Sequence, residues 1–307
     1  MKFIAAILIF ILVSAHAYGE LTEMEIDEIR ATYRANQIKI VSDALRGADS
    51  LKKWPSELAP LAEIMENETS DSQNFRWDIC AEVYKQANEI DGETEKKREL
   101  VYLLTTRLND RSTSIQGSVL KWLREFNASS FNEAAVRNIK GKFDTTMDWD
   151  VILLMGVLDT KYCLTKTKHL VSHVDLHDEE SGSFWGESLG AALLVHARLG
   201  DAASIDRVIN AVESDDGSKV MLFRYLGYVH QPKVVEYLKT QISENKTLPG
   251  GDDYPATSYA QKACVVLSTM LKGFPKKAGG RFDSYTASEI ERIKAWLSMQ
   301  QKWEFVE

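Results

Sequence analysis

"LGDAASIDRVINAV", residues 199–212, decides the fold, because its pattern returns thirty residues later as "VHQPKVVEYLKTQI", residues 229–242. Each copy opens with a short polar turn and continues with apolar residues at spacings of three and four, the period of an amphipathic helix. Sliding one copy over the other places Ile205, Val208 and Val212 on Val235, Leu238 and Ile242 with a single offset of 30. A third segment of the same kind, "FNASSFNEAAVRNI", starts at Phe126. Ahead of these turns lie further helix-period segments: "SIQGSVLKWLREF", "WDVILLMGVLD", "FWGESLGAALLVHARLGD" and "SKVMLFRYLGYVH". A fifth, "SYAQKACVVLSTMLKG", follows the last full pair. Their starts fall roughly 35 residues apart, within the range of helical repeat arrays.

A lone helix pair cannot bury both of its apolar faces, so neighbouring pairs must stack, and the first helix of each pair becomes apolar nearly all round, as "VILLMGVL" is. Proline is absent from Ala62 to Gln231, and strand-like alternation is hard to find. These features predict an all-α chain, an α-solenoid of stacked antiparallel helix pairs. Thr22 with Glu25 and Thr286 with Glu289 have the spacing of capping boxes, in which hydroxyl and carboxylate satisfy orphaned backbone N–H groups. "LPGGDDYP" at 248–255 and "GFPKKAGGRFD" at 273–283 are the clearest loops, and "DGET" at 91–94 marks a turn.

The repeats resemble those of the HEAT family, in particular the shorter HEAT-like repeats also found in phycobilisome lyases. "LGDAASIDRVINAV" matches best, "VHQPKVVEYL" follows with Pro232 at its helix start, and "LDTKYCLTKTKHLV" from Leu158 is a degenerate copy with a longer turn. The resemblance spans about 111–273. It implies a superhelix that serves as a binding scaffold, since such arrays act as catalysts only occasionally. The expected organisation is a signal peptide at 1–17, an irregular helical region at 18–110, HEAT-like repeats at 111–273, and a loop with a C-terminal capping helix at 274–307. The capping helix carries Ile290, Ile293, Trp296 and Leu297 on its apolar face.

The signal-peptide expectation rests on Lys2, the apolar run Phe3 to Val13, and the small-residue pattern Ala15-His16-Ala17. That run is well short of the roughly 20 residues that cross a bilayer. Cleavage after Ala17 gives an exported chain, secreted or periplasmic, with no transmembrane segment. The formal charge of -8 and the lack of a Lys/Arg cluster disfavour nucleic acid as a partner. A protein partner is expected instead. Cys80, Cys163 and Cys264 are too few and scattered for a disulfide framework; Cys80 and Cys264, in helical apolar patterns, read as small buried hydrophobes, with one disulfide as the alternative. Three Asn-x-Ser/Thr sequons, in "NETS", "NASS" and "NKTL", are about what chance gives.

"HLVSHVDLHDEE", residues 169–180, has the look of a metal site. At 100° per residue, Leu164, Leu170, Val171 and Val174 share one face, and His169, His173 and His177 the opposite one. Two histidines one turn apart can share an ion, but the third rises about 12 Å above the first, and a closed zinc site wants four ligands. A solvated helix face is the reading adopted, with no metal and no cofactor. The alternative is a cell-envelope enzyme or metal-binding protein using His169 and His173. Asp148 and Asp150 suit helix capping, Asp252 and Asp253 suit a turn rather than a calcium loop, and Glu187 lacks the downstream sequence of the transglycosylases that share its Glu-Ser pair. No catalytic residue is assigned. The expected binding surface is a concave strip on the second helices: His169 and His173, then Arg207 and Asn210, then Glu236 and Thr240.

Overall fold

The computed structural model describes residue 39 and residues 70–172, 187–214, 219–244, 246–248, 257–275 and 285–306. The described chain is all-α, with twelve α-helices, a pair of short 3-10 turns, and one antiparallel ladder of two residues a side. Two compact units divide it, residues 1–135 and 136–307.

In the first unit, α1 (Ser70–Glu89), α2 (Glu95–Thr105) and α3 (Thr113–Leu123) pack together. The "DGET" stretch turns the chain between α1 and α2, with Gly92 at φ 71° and Thr94 accepting from the Lys97 N–H as N-cap. Ile79, Val83, Leu100, Leu104, Ile115, Val119 and Leu123 form the core. One buried ion pair crosses it: the Arg76 guanidinium donates to both carboxylate oxygens of Asp110, at 3.1 and 3.2 Å. Such a pair holds geometry more than it adds stability, because both charges lose their water.

The second unit contains α4 (Glu133–Thr145), which begins at the boundary, then α5 (Trp149–Leu158), α6 (Thr160–Ser172), α7 (Ser188–Arg198), α8 (Ala202–Glu213), α9 (Lys219–Leu226), α10 (Pro232–Glu244), α11 (Tyr259–Met270) and α12 (Ala287–Met299). α5 packs on α6 and α7, α7 on α6 and α8, α8 on α9 and α10, and α11 on α9, α10 and α12. As "VILLMGVL" predicts, Val151 through Met155 of α5 are all buried, and so are Ala191 through Val195 of α7. The aligned residues Ile205, Val208 and Val212 of α8 and Val235, Leu238 and Ile242 of α10 are buried without exception. α10 leads into the ladder Thr247–Leu248 with Thr257–Ser258, which frames the predicted 248–255 loop. The Thr286 and Glu289 capping box opens α12 as predicted. Thr22 and Glu25 lie outside the described residues.

The turns before α8 and α10 also match at the offset of 30. Gly200 has φ 90°, and His230, thirty residues on, has φ 47°. Both sit in the left-handed region, which glycine enters freely and histidine only at some cost. The two turns touch: Arg198 Nη1 donates to the Tyr228 carbonyl at 2.7 Å, and Gln231 Nε2 donates to the Arg198 carbonyl at 2.7 Å.

α6 faces the core differently from the expectation. Cys163 and Thr167 are its buried residues, while Leu164, Leu170 and Val171 are half-buried. The inward stripe is therefore one position displaced and partly polar. A buried threonine is tolerated there because its hydroxyl donates to the Cys163 carbonyl one turn back, at 2.8 Å.

Candidate functional site

The outer faces of α6, α8 and α10 contain the residues expected to bind. His169 is exposed in the last turn of α6, opposite buried Cys163 and Thr167. His173 and His177 lie outside the described residues, so the one-turn histidine pair is represented by His169 alone. Asn210 is exposed on α8, and Glu236 and Thr240 are exposed on α10, where the Thr240 hydroxyl donates to the Glu236 carbonyl at 3.1 Å.

Arg207 is placed differently. It is half-buried, and its Nη1 donates to the Val171 carbonyl near the end of α6 at 3.0 Å. Its counterpart at the offset of 30 is Tyr237, also half-buried, whose hydroxyl donates to Glu213 at the end of α8. Burial and the Glu213 carboxylate beside it push the Tyr237 phenol far above its usual range, so it remains a donor. The same position thus ties α8 to the end of α6 and α10 to the end of α8. The true counterpart of Glu236 is Asp206, which pairs with Lys233 of α10. Asp206 with Asn210 on α8 corresponds to Glu236 with Thr240 on α10, one helical turn apart in each case.

Next to Glu236, Lys239 pairs with it at 3.3 Å and stands 5.9 Å from the centroid of the Trp303 ring. The polar face of α10 is therefore continuous with the C-terminal segment. The sequence did not single out Lys239, Trp303 or Asp206; the offset of 30, carried over to Glu236, points to Asp206, while Trp303 lies in "QKWEFVE" beyond any repeat.

The three thiols are turned inward. Burial pushes the thiols of Cys80, Cys163 and Cys264 up to about 11, 12 and 12, and all three are free. Thiols held so high are protonated at neutral pH and are poor nucleophiles. His196 of α7 lies 3.2 Å by Nε2 from the Thr167 hydroxyl, whose proton is already given to the Cys163 carbonyl. The hydroxyl therefore accepts, and Nε2 carries the proton. Burial holds this imidazole below its ordinary range and so favours the neutral form, with Nδ1 unprotonated. Asp148 and Glu187 take the N-cap positions of α5 and α7 without a side-chain capping bond, and Asp150 lies in the first turn of α5. Asp252 and Asp253 lie outside the described residues.

Among the described residues, no group of three or more His, Cys, Asp or Glu side chains could hold a metal ion, and no helix is long and apolar enough to cross a membrane. Compared with family models, curated proteins and solved structures, the chain matches none.

Proposed function

We propose that the chain is an exported, HEAT-like α-solenoid of stacked antiparallel helix pairs that works as a scaffold for a protein partner. The partner docks on the outer faces of the second helices, α6, α8 and α10. One observation carries the reading: matching positions do matching jobs in successive second helices. Positions 207 and 237 tie neighbours together, while Asn210, Glu236 and Thr240 are exposed and Asp206, the counterpart of Glu236, is half-buried and paired with Lys233. Stacked pairs that repeat both their ties and their outward groups leave a strip whose length grows with each pair, the geometry repeat proteins use for extended partners. Export is supported by the sequence pattern at 1–17.

Crosslinking in the native compartment, followed by identification of the captured protein, tests the class. With that partner in hand, Asn210→Arg and Glu236→Arg should each weaken binding by about tenfold, roughly 1.4 kcal/mol. Stability should change by no more than about 0.5 kcal/mol, because both side chains are exposed. Unchanged affinity in both variants would move the docking surface off the second helices. Intact mass of the protein from its native host should correspond to a chain starting at Tyr18.

A further inference from the structure

Among the described residues, ion pairing is uneven along the outer faces of the second helices. On α8 and α10 the charges answer one another: Asp206 pairs with Lys233, Glu236 with Lys239, and Glu244 with Lys246. α6 differs, because none of its 13 residues is acidic. Its Lys166 reaches toward α4, where it meets Asp144 at 3.3 Å. Lys161 and Lys168 are exposed, and among the described residues neither has an ion-pair partner. Seven positions separate them, two helical turns, so they lie about 20° apart around the axis and about 10 Å apart along it. Thr165 and His169 are exposed on the same side, and buried Cys163 and Thr167 occupy the opposite one. Two ammonium groups thus stand in file without a counter-charge, in a chain whose formal charge is -8.

We propose that α6 receives an acidic segment of the partner protein, a peptide whose carboxylates meet Lys161 and Lys168. The inference rests on the outer faces of the second helices being the docking surface, and it names the chemistry at one end of that surface. In the polyproline II conformation three residues make one turn and advance about 9 Å, so carboxylates at every third position face one side at a spacing close to that of the two lysines. A uniform polyanion fits less well. Double-stranded DNA has one charge per about 1.7 Å of axis, far denser than two ammonium groups in about 10 Å. Laid across the strip, it would also meet Asp206, Glu213 and Glu236 on the neighbouring helices. A segment acidic only where it crosses α6 avoids that repulsion. Exposed charges of this kind select and steer a partner more than they tighten it, and salt screens them.

Fluorescence anisotropy of a fluorescein-labelled peptide of three Glu-Pro-Ser repeats, titrated with the full chain, tests this. The peptide should bind at low salt and weaken about tenfold or more at about 0.5 M salt, while its Gln-Pro-Ser and Lys-Pro-Ser counterparts should not bind. Lys161→Glu with Lys168→Glu should weaken the glutamate peptide by about tenfold, and Lys161→Gln with Lys168→Gln should weaken it in the same direction. Lys85→Glu with Lys121→Glu alters two exposed lysines of α1 and α3 and the net charge by the same amount, and should leave binding unchanged. Thermal unfolding should be alike in all of them. Absence of binding, or equal weakening by the two glutamate pairs, overturns the proposal. Tighter binding to phosphatidylserine vesicles than to the peptide overturns it in favour of a lipid surface. Peptide binding that emerges only when Asp175, Asp178, Glu179 and Glu180 are changed to their amides overturns it too, because the chain's own acidic run is then the occupant. With the native partner in hand, weakening by Asn210→Arg and Glu236→Arg but not by the α6 lysine pair removes the acidic segment and keeps the docking strip. The converse result keeps the acidic segment and removes the strip on α8 and α10.

Discussion

Replacing Gly156 with alanine probes how closely α5 approaches α7. A Cβ at position 156 would lie 2.5 and 2.9 Å from the two γ-methyls of Val195 and 2.6 Å from the Tyr228 hydroxyl. Apolar carbons rest about 3.5–4.0 Å apart, so the overlap is on the order of 1 Å. Neither neighbour yields freely. Val195 is fully buried, and a β-branched side chain in a helix has one strongly preferred rotamer. The Tyr228 hydroxyl donates to the Leu153 carbonyl at 2.8 Å, and moving it gives up that bond. Alanine gains about 1 kcal/mol over glycine in helix propensity. Overpacking costs about 1–3 kcal/mol, and loss of the tyrosine bond about 1 kcal/mol more. The expected net loss is about 1–3 kcal/mol, read as a lower urea midpoint with an unchanged slope. Val195→Ala removes both γ-methyls, so Gly156→Ala should cost less by about 1 kcal/mol in that background, a coupling only neighbours show. A Gly156→Ala variant that is more stable than the parent would mean that propensity alone operates and that the close approach is wrong.

Leu238→Ala in α10 should cost roughly 2–5 kcal/mol in the same urea assay, since the side chain is fully buried and its removal leaves a cavity; a loss below 1 kcal/mol would count against the core placement. Asp201→Ala removes the acceptor of the Ser204 N–H at 2.8 Å and should cost roughly 0.5–2 kcal/mol as a lost N-cap. His230 should make stability fall on acidification. Burial, with Arg198 adding to it, pulls its imidazole down to about 4, whereas the unfolded chain binds that proton near 6.5. Between those values the unfolded state holds more protons, so stability is full above about 6.5 and declines as pH drops toward 4. His230→Asn tolerates the positive φ and should shrink the difference in urea midpoint between pH 7 and pH 5. An unchanged difference would sink the assignment.

Periodicity made α8 and α10 legible because their burial is apolar and one-sided, whereas α5 and α7 were legible as continuous apolar runs. Ile205, Val208 and Val212 needed no knowledge of their neighbours. α6 was harder to read, since its inward stripe is Cys163 and Thr167, and a threonine that satisfies its own hydroxyl within the helix looks in sequence like a surface residue. The exposure of the residues expected on the outer faces was half legible. Taking residues opposite each apolar stripe treats a helix as though one side were wet, yet Arg207 and Tyr237 flank the stripe and reach the ends of α6 and α8. The offset of 30 did carry the correction, because it pairs 206 with 236 and 207 with 237. The return of the C-terminal segment was not legible. Trp296 reads as one more apolar-face residue of α12, and nothing local to "QKWEFVE" shows that its backbone returns to bridge α11.

The pair of left-handed residues links the repeat to the returning C-terminal segment. Gly200 and His230 occupy one position in two copies, but a non-glycine residue in this region costs of order 1–3 kcal/mol, so something must hold His230 there. Its ring stacks on Phe305, with centroids 5.6 Å apart and planes at 10°. Phe305 is the residue that bridges Leu271, in the segment carrying Lys302, Trp303 and Glu304. The turn before α8 meets the next turn, through Arg198 and Gln231, and glycine suffices for it. The turn before α10 meets the returning C-terminal segment instead. A side chain at the left-handed position reaches that segment there, through its stack on Phe305, which a glycine could not make.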